Sequence, residues 1–497
     1  MTRTTLTVLM LLLLPLSATR CVNQQAKDSP VLPAYDLVIQ KGRVMDPDSG
    51  LDAVRYLGIT DGKVRSISEK PLSGKQVIDA DGMVVAPGFI DLNTYEHSDP
   101  FFRLRAADGV TSVLHLEGGA VDVPAYYSAL KGKALIHHGV GVDHPSARLL
   151  AAGVALDIVD GQALTGFASD LGRALDEAEM EKLAEILENG LRAGAVAVGF
   201  GIEYSPSANQ EEVLYMVELA AKYDAPSHMH VRDFDELRTW SQLNEVFGAA
   251  IYTGGKIHIN HLNSMFGRFS GQALTFIENA NEYGLPITVE SYPYTAGLTF
   301  IESAIFDDWE SWPDDEYGRY ELPSTGERLT RETFAEHRQK GGFVLMHARD
   351  EIAQENAIKT CMAHPLVMIA SDGSWDQGVT HPRSAGTNSR VLGRYVREQG
   401  VLTLMEALRK MTIAPARHLE TRVAAMKHKG RLSVDADADI VIFDPNTIMD
   451  NSTYREPLLP PTGIEVVIVN GTIILQNGHF KENVFPGRAL RGPIKEN

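Results

Sequence analysis

A chain of 497 residues, 44% hydrophobic and 22% charged, is long enough for one large core and a smaller satellite, which excludes a disordered or fibrous protein. Its 65 acidic against 46 basic side chains leave a formal charge of -19, a field that repels phosphate backbones and anionic lipid and argues against nucleic acid as a partner. Cys21 and Cys361 are the only cysteines, too few for a disulfide framework, so stability has to come from the core.

The first twenty residues carry Arg3, then the apolar run in LTVLMLLLLPLSA, then small residues, which is the layout of a secretory signal. The run is too short to span a bilayer as a mature helix. Export to the periplasm or beyond is the expectation, with residues 21–34 as a linker. A cysteine directly after such a run also fits a lipid anchor at Cys21, although Arg20 stands where that processing site has a small residue.

From 35 to 85, β-rich runs such as DLVIQKGRVMDP and YLGITDGKVRSIS alternate with the turn signals Asp61-Gly62 and Asp81-Gly82. Between 420 and 485 the pattern returns in DADIVIFDPN and GIEVVIVNGTIILQNGHF, with a hairpin at Asn470-Gly471. One small β-sandwich built from both chain ends is the simplest reading.

Residues 86–419 alternate strand-like and helical runs. Strands are predicted at GFIDLNTY, TSVLHLE, ALIHHGVGV, AVAVGFG, PSHMHVR, KIHINHL, PITVESY and VMIASDG, with amphipathic stretches such as EAEMEKLAEILENGLRAG between several of them. This α/β pattern predicts a closed TIM (β/α)8 barrel with a lid insertion at about 301–364. Cys361, in EIAQENAIKTCMAHP, reads as a small buried hydrophobe.

Barrel chemistry sits where strands end and βα loops converge. Strand five carries His228 and His230 on one face, strand six ends in His258-Ile259-Asn260-His261, and strand eight ends at Asp372. Imidazoles from adjacent strand ends can share a cation, and a carboxylate beside them can take a proton from an activated water and return it to a leaving amine. Each residue alone is weak evidence, and their order at the productive ends gives them weight.

Several motifs carry a family resemblance. APGFID, His230-x-Arg232, His261, YPYTAG from Tyr292, SDG from Ser371 and HPRSAGTNSRVLGRYVRE from His381 resemble the D-aminoacylase, or N-acyl-D-amino-acid deacylase, branch of the amidohydrolase superfamily. The likeness spans nearly everything from Tyr35 to about Phe480. The run from His381 is its most diagnostic part, because barrel geometry does not explain it. The resemblance implies zinc, one ion per chain, bound by His230 and His261, with Asp372 as general base. A further ligand is expected from strand two, where Glu117 is the candidate, the alternative being an ion pair between Glu117 and a nearby Arg or Lys. Arg383 would hold the substrate's α-carboxylate, with Tyr292, His381 and Asn93 as further substrate contacts. Leu298 stands where a small hydroxyl residue is expected.

Strand one departs from the family pattern. Asn93-Thr94-Tyr95 replaces His-x-His, and neutral Asn and Tyr are poor zinc ligands, which puts a second metal in doubt. Tyr95 is instead a candidate donor to the substrate carbonyl or the tetrahedral oxyanion. His97 and His144 are candidates for the mouth, against the reading that they are surface-loop histidines. The expected activity is hydrolysis of an N-acyl-D-amino acid or a similar small amide. The alternatives are a cyclic amide, a dipeptide with a D-residue, or a non-catalytic exported binding protein with a degenerate metal site.

Overall fold

The computed structural model describes residues 34–163, 170–233, 239–376 and 378–495; the apolar leader and Cys21 lie outside them. β1 (Tyr35–Asp46), β2 (Leu51–Thr60) and β3 (Lys63–Ser68) form an antiparallel meander, and β4 (Gly74–Asp79) and β5 (Val84–Pro87) return parallel to β1. Asp61 and Gly62 take φ values of 53° and 71° between β2 and β3. Two successive positive values match the twist of a two-residue hairpin, which is why Asp-Gly is found there.

Strands and helices then alternate: β6 (Phe89–Asp91), α1 (Asp99–Ala107), β7 (Val110–Ala120), α2 (Val123–Leu130), β8 (His137–Asp143) and α3 (His144–Ala151). A short hairpin of β9 (Ile158–Val159) and β10 (Gln162–Ala163) precedes α4 (Glu177–Arg192), β11 (Val198–Gly201), α5 (Gln210–Lys222), β12 (Ser227–His230) and α6 (Thr239–Thr253). β13 (Ile257–Ile259), α7 (Leu262–Phe266), α8 (Ser270–Glu282) and β14 (Ile287–Ser291) follow. An insertion contributes β15 (Ala296–Phe300), β16 (Tyr320–Glu321), α9 (Arg331–Lys340) and β17 (Phe343–His347). The barrel resumes with α10 (Glu351–Ala363), β18 (Val367–Ile369), α11 (Arg383–Arg390), α12 (Leu404–Met411) and α13 (Ile413–Leu419).

β6, β7, β8, β11, β12, β13, β14 and β18 lie side by side in that order in one eight-stranded parallel sheet, and these are the strands expected from the sequence. A bridge between Thr94 and Gly373, with Tyr95 N donating to Gly373 O at 2.8 Å, joins the two edges just beyond the strand ends. The fold is a TIM barrel. Its helices begin where the sequence caps them: Asp176 and Glu179 form a capping box at α4, which buries Leu183, Leu187 and Leu191 at four-residue spacing.

The insertion differs from the expected 301–364. It starts at Ala296 and its sheet ends at His347, because β15 pairs with β17 from Ala296–His347 to Phe300–Phe343. α10 belongs to the barrel: its Cys361, a buried free thiol, sits in one core cluster with Ile277, Ile287 and Val367.

β19 (Ile440–Phe443), β20 (Ile464–Val469), β21 (Thr472–Gln476) and β22 (His479–Phe480) complete the sheet opened at the other terminus, with β19 antiparallel to β5. Both chain ends thus share one nine-stranded sheet. Alternation serves two cores there. Val85, Ile440 and Ile442 gather with Leu37, Val64 and Ile468 on one face, while Val84, Ala86, Val441 and Phe443 pack with Phe102, Val110 and Met411 of the barrel. At this junction the buried Asp439 meets Lys429 at 2.6 Å and His137 at 3.0 Å. Burial pushes an acid up, but His137 and Lys429 outweigh it and hold the Asp439 carboxyl well below the usual carboxylate range.

Candidate metal centre at the barrel mouth

β7 keeps register with β8 from Ser112 to His115 and loses it before Ala120. The bulge contains Glu117-Gly118-Gly119. Gly119 has a φ of 151°, and a Cβ on Gly199 of β11 would lie 2.4 Å from the Glu117 carbonyl oxygen. Glycine at both places lets the strands close on the bulge, which aims the Glu117 carboxylate into the mouth.

His230 and His261, at the ends of β12 and β13, meet that carboxylate. Glu117 Oε1 lies 2.9 Å from His230 Nδ1 and 3.3 Å from His261 Nε2, with all three side chains buried. Ligands held ~2.1 Å from a four-coordinate ion stand roughly 3.4 Å apart. One carboxylate oxygen and two imidazole nitrogens at these separations fit zinc or a similar divalent ion.

The surrounding groups fix these donors. Glu117 Oε2 accepts from Asn93 Nδ2 at 2.7 Å and Asn260 Nδ2 at 2.9 Å. Glu117 also shares a hydrogen bond with the Tyr95 hydroxyl. His230 Nε2 lies 2.7 Å from Glu203 Oε2, the carboxylate–imidazole pairing that decides which ring nitrogen faces the cluster. Burial alone would push Glu117 up and His230 down. The charge of His261 and the hydrogen bond from His230 outweigh burial and hold Glu117 well below its usual range, while Glu117 and Glu203 carry His230 up to about 10.

Asp372 follows β18. Burial pushes its carboxyl up to about 7 against the pull of Arg383, whose Nη1 lies 2.7 Å from Asp372 Oδ2. His261 and Asp372 take φ values of 28° and 55°, left-handed conformations that non-glycine residues rarely hold and that concentrate at functional sites. The Arg383 guanidinium stands over the Tyr292 ring at 4.8 Å, and its buried Nε has no hydrogen-bond partner among the described residues. The long run after His381 serves to place this arginine. Arg105 of α1 donates to Ser384 O at 2.7 Å and to Asp91 at 2.8 Å, while Asp108 accepts from Asn388 N at 2.8 Å and Ser389 N at 2.9 Å, bolting α11 to α1.

A cavity of about 680 Å³ opens above the cluster, lined by Glu117, His230, His261, Asp372, Tyr95 and Arg383, with Tyr292 and His97 beside them. Phe102, Tyr126, Leu298, Phe300, Phe343 and Met346 give it an apolar wall, so the insertion supplies part of the chamber.

Three expectations need correction. Asn93 lies under the centre, not on the cavity: its amide bridges Glu117 and Glu290 (2.8 Å) and cannot reach a substrate. His381 is fully buried with both ring nitrogens engaged, Nε2 with Ala296 O at 3.0 Å and Nδ1 accepting from Arg383 N at 3.0 Å, so it orients the start of α11. His144 is neither at the mouth nor on a surface loop, being buried against Glu212 at 2.9 Å. Of the paired alternatives, His97 does line the cavity, bonded to Thr94 at 2.9 Å and to Tyr126, and the partners of Glu117 are imidazoles, amides and Tyr95 instead of Arg or Lys. Leu298 lends its backbone carbonyl to Arg383 Nη2 at 3.4 Å. Sequence reasoning missed Glu203 and Glu290. Glu203, two residues beyond β11, stands at a productive strand end like the others, and Glu290 is an acid inside a largely buried strand, pushed up to about 8 by burial.

A parallel barrel whose mouth gathers this donor set is a metal-dependent enzyme scaffold of the hydrolase kind. Residues 117–475 match the Amidohydrolase family. N-acyl-D-glutamate deacylase of Alcaligenes xylosoxydans xylosoxydans is 30% identical over 92% of this chain and 96% of its own, and D-aminoacylase of the same organism is 26% identical over 90% and 96%. Among solved structures, N-acyl-D-glutamate deacylase from Bordetella bronchiseptica, complexed with zinc and a phosphonate inhibitor, has a TM-score of 0.78 at 27% identity, covering 92% of this chain and 100% of that one. The chain belongs to the amidohydrolase family, in its D-aminoacylase branch.

Proposed function

We propose that this enzyme hydrolyses the amide bond of an N-acyl-D-amino acid, using one divalent ion, zinc by preference, held by Glu117, His230 and His261. The observation that carries the reading is the convergence of those three donors beside a buried acid with a pKa of about 7 that is itself paired to an arginine. The names of the relatives, and the zinc with a mimic of the tetrahedral intermediate in the Bordetella structure, support it.

A bound ion supplies polarisation of the amide carbonyl and a lowered pKa for water. Asp372 takes a proton from the attacking water and hands it to the leaving nitrogen, and a pKa of about 7 suits it to both steps near neutrality. The Nε–H of Arg383, with the Tyr292 hydroxyl, receives the substrate carboxylate. Tyr95, at the cavity wall, turns its one hydroxyl proton from Glu117, whose carboxylate would be engaged by a bound ion, to the developing oxyanion.

A panel of N-acyl-D- and N-acyl-L-amino acids, scored for free amino acid with zinc-loaded enzyme, tests this. Release of D-amino acids, lost in His230→Ala together with the ion held at the mouth, is expected; equal turnover of L-forms would remove the stereochemical assignment. We also propose, from the sequence alone, that the leader exports the chain, which cell fractionation and the mature amino terminus check.

A further inference from the structure

We propose a second metal site, at the opposite end of the barrel interior, in which His228, His258 and His418 bind one divalent transition-metal ion.

A β/α barrel is usually filled by branched apolar side chains. Here the inward positions near the amino-terminal ends of three adjacent strands are polar: His228 in β12 is in register with His258 in β13, and His258 with Thr288 in β14. His418 of α13 closes on them from below the strands. The three imidazole centroids lie 4.4, 5.0 and 5.2 Å apart, and one ring nitrogen from each lies within 4.8 Å of the others. His228 Nε2 and His418 Nε2 are 3.1 Å apart, close to the separation of two ligands on one ion.

The supporting groups have the form that metal-binding imidazoles require. Glu290 Oε2 lies 3.1 Å from His258 Nε2, and a carboxylate on one ring nitrogen orients the other for coordination. That other nitrogen, Nδ1, lies 2.8 Å from the Thr288 hydroxyl, which is also 3.3 Å from His418 Nδ1. His228 is fully buried, and its Nε2, which faces His418, is the nitrogen that would coordinate. His418 is partly exposed, which gives an ion a route from solvent. With imidazoles and no carboxylate as ligands, the site suits zinc, copper or nickel and not calcium or magnesium. It is separate from the mouth: Glu290 and Asn93 stand between this cluster and Glu117.

Elemental analysis after zinc loading and gel filtration decides the matter in the full chain, His230→Ala, His418→Ala and the double variant. The expected contents are two, one, one and no equivalents. The His230→Ala background reads the lower site without relying on the catalytic proposal, and there cobalt substitution should give an absorption band that His418→Ala removes. If the mouth alone fails to bind, the full chain holds one ion that survives His230→Ala and disappears in His418→Ala, which still supports the lower site. No metal in His230→Ala, or equal metal in His418→Ala and the full chain, overturns it. His418→Gln, which keeps the side-chain volume, and a melting curve with and without chelator separate ligand loss from misfolding.

Discussion

The barrel mouth and the junction between barrel and terminal sheet both bury charge, but only the junction satisfies all of it internally. At the junction Asp439 takes Lys429, His137 and the backbone N–H of Asn470, the last at 2.7 Å, so every member has a partner. At the mouth Asp372 is held up at about 7, Arg383 Nε is unpartnered among the described residues, and His261 and Asp372 sit in left-handed backbone. Complete pairing marks a structural clamp. Unfinished pairing combined with strain marks a place prepared for something else to bind.

Substitutions can break that contrast. The largest effect is expected from His230→Ala, which should lose one equivalent of metal and amide hydrolysis together while the chain still melts cooperatively; a metal content unchanged from wild type would refute the ligand assignment. Asp372→Asn should keep the metal and lower kcat roughly 10²–10⁴-fold, the usual worth of a positioned proton carrier. The wild-type rate should rise with pH through about 7 as Asp372 ionises, a limb that the Asn variant lacks. Asp439→Asn should do the reverse, sparing kcat but costing about 1–3 kcal/mol in denaturant titration, because the buried Lys429 loses the nearer of its two carboxylates and keeps only Asp437 at 3.0 Å. Its pH signature has a defined sign. A carboxyl held below its unfolded value stabilises the fold above the unfolded pKa, and that contribution is lost as pH falls through the folded value. Wild type should therefore lose stability on acidification more steeply than Asp439→Asn. The smallest effect is expected from Arg383→Lys, which keeps the charge and loses the planar fork; a rise in KM of about tenfold with kcat less affected would fit a carboxylate clamp.

The barrel strands were legible because runs of apolar residues buried on both faces recur between amphipathic helices, and the mouth was legible because His230, His261 and Asp372 fall at strand ends. Glu117 was readable as a candidate, although the bulge that aims it depends on Gly199, a residue far away in the sequence. Asn93 and His381 were misread for one reason: position in a motif says which segment a residue occupies, not whether its side chain faces the chamber or lies behind it. Glu203 and Glu290 escaped because an isolated acid is ordinary in sequence and becomes informative only when burial and an imidazole partner are seen. The insertion was misplaced because β15 starts within the YPYTAG motif itself and α10 looks like any other amphipathic helix.

The shared terminal sheet also sets a schedule for biosynthesis. β5 leaves the ribosome hundreds of residues before β19, the strand that covers its edge. Until then its unpaired backbone groups form an open edge of the kind that templates aggregation. Chains stalled or truncated before Ile440 should therefore be recovered as insoluble material even when the barrel sequence is complete, making the segment from Ile440 onward the gatekeeper of soluble yield.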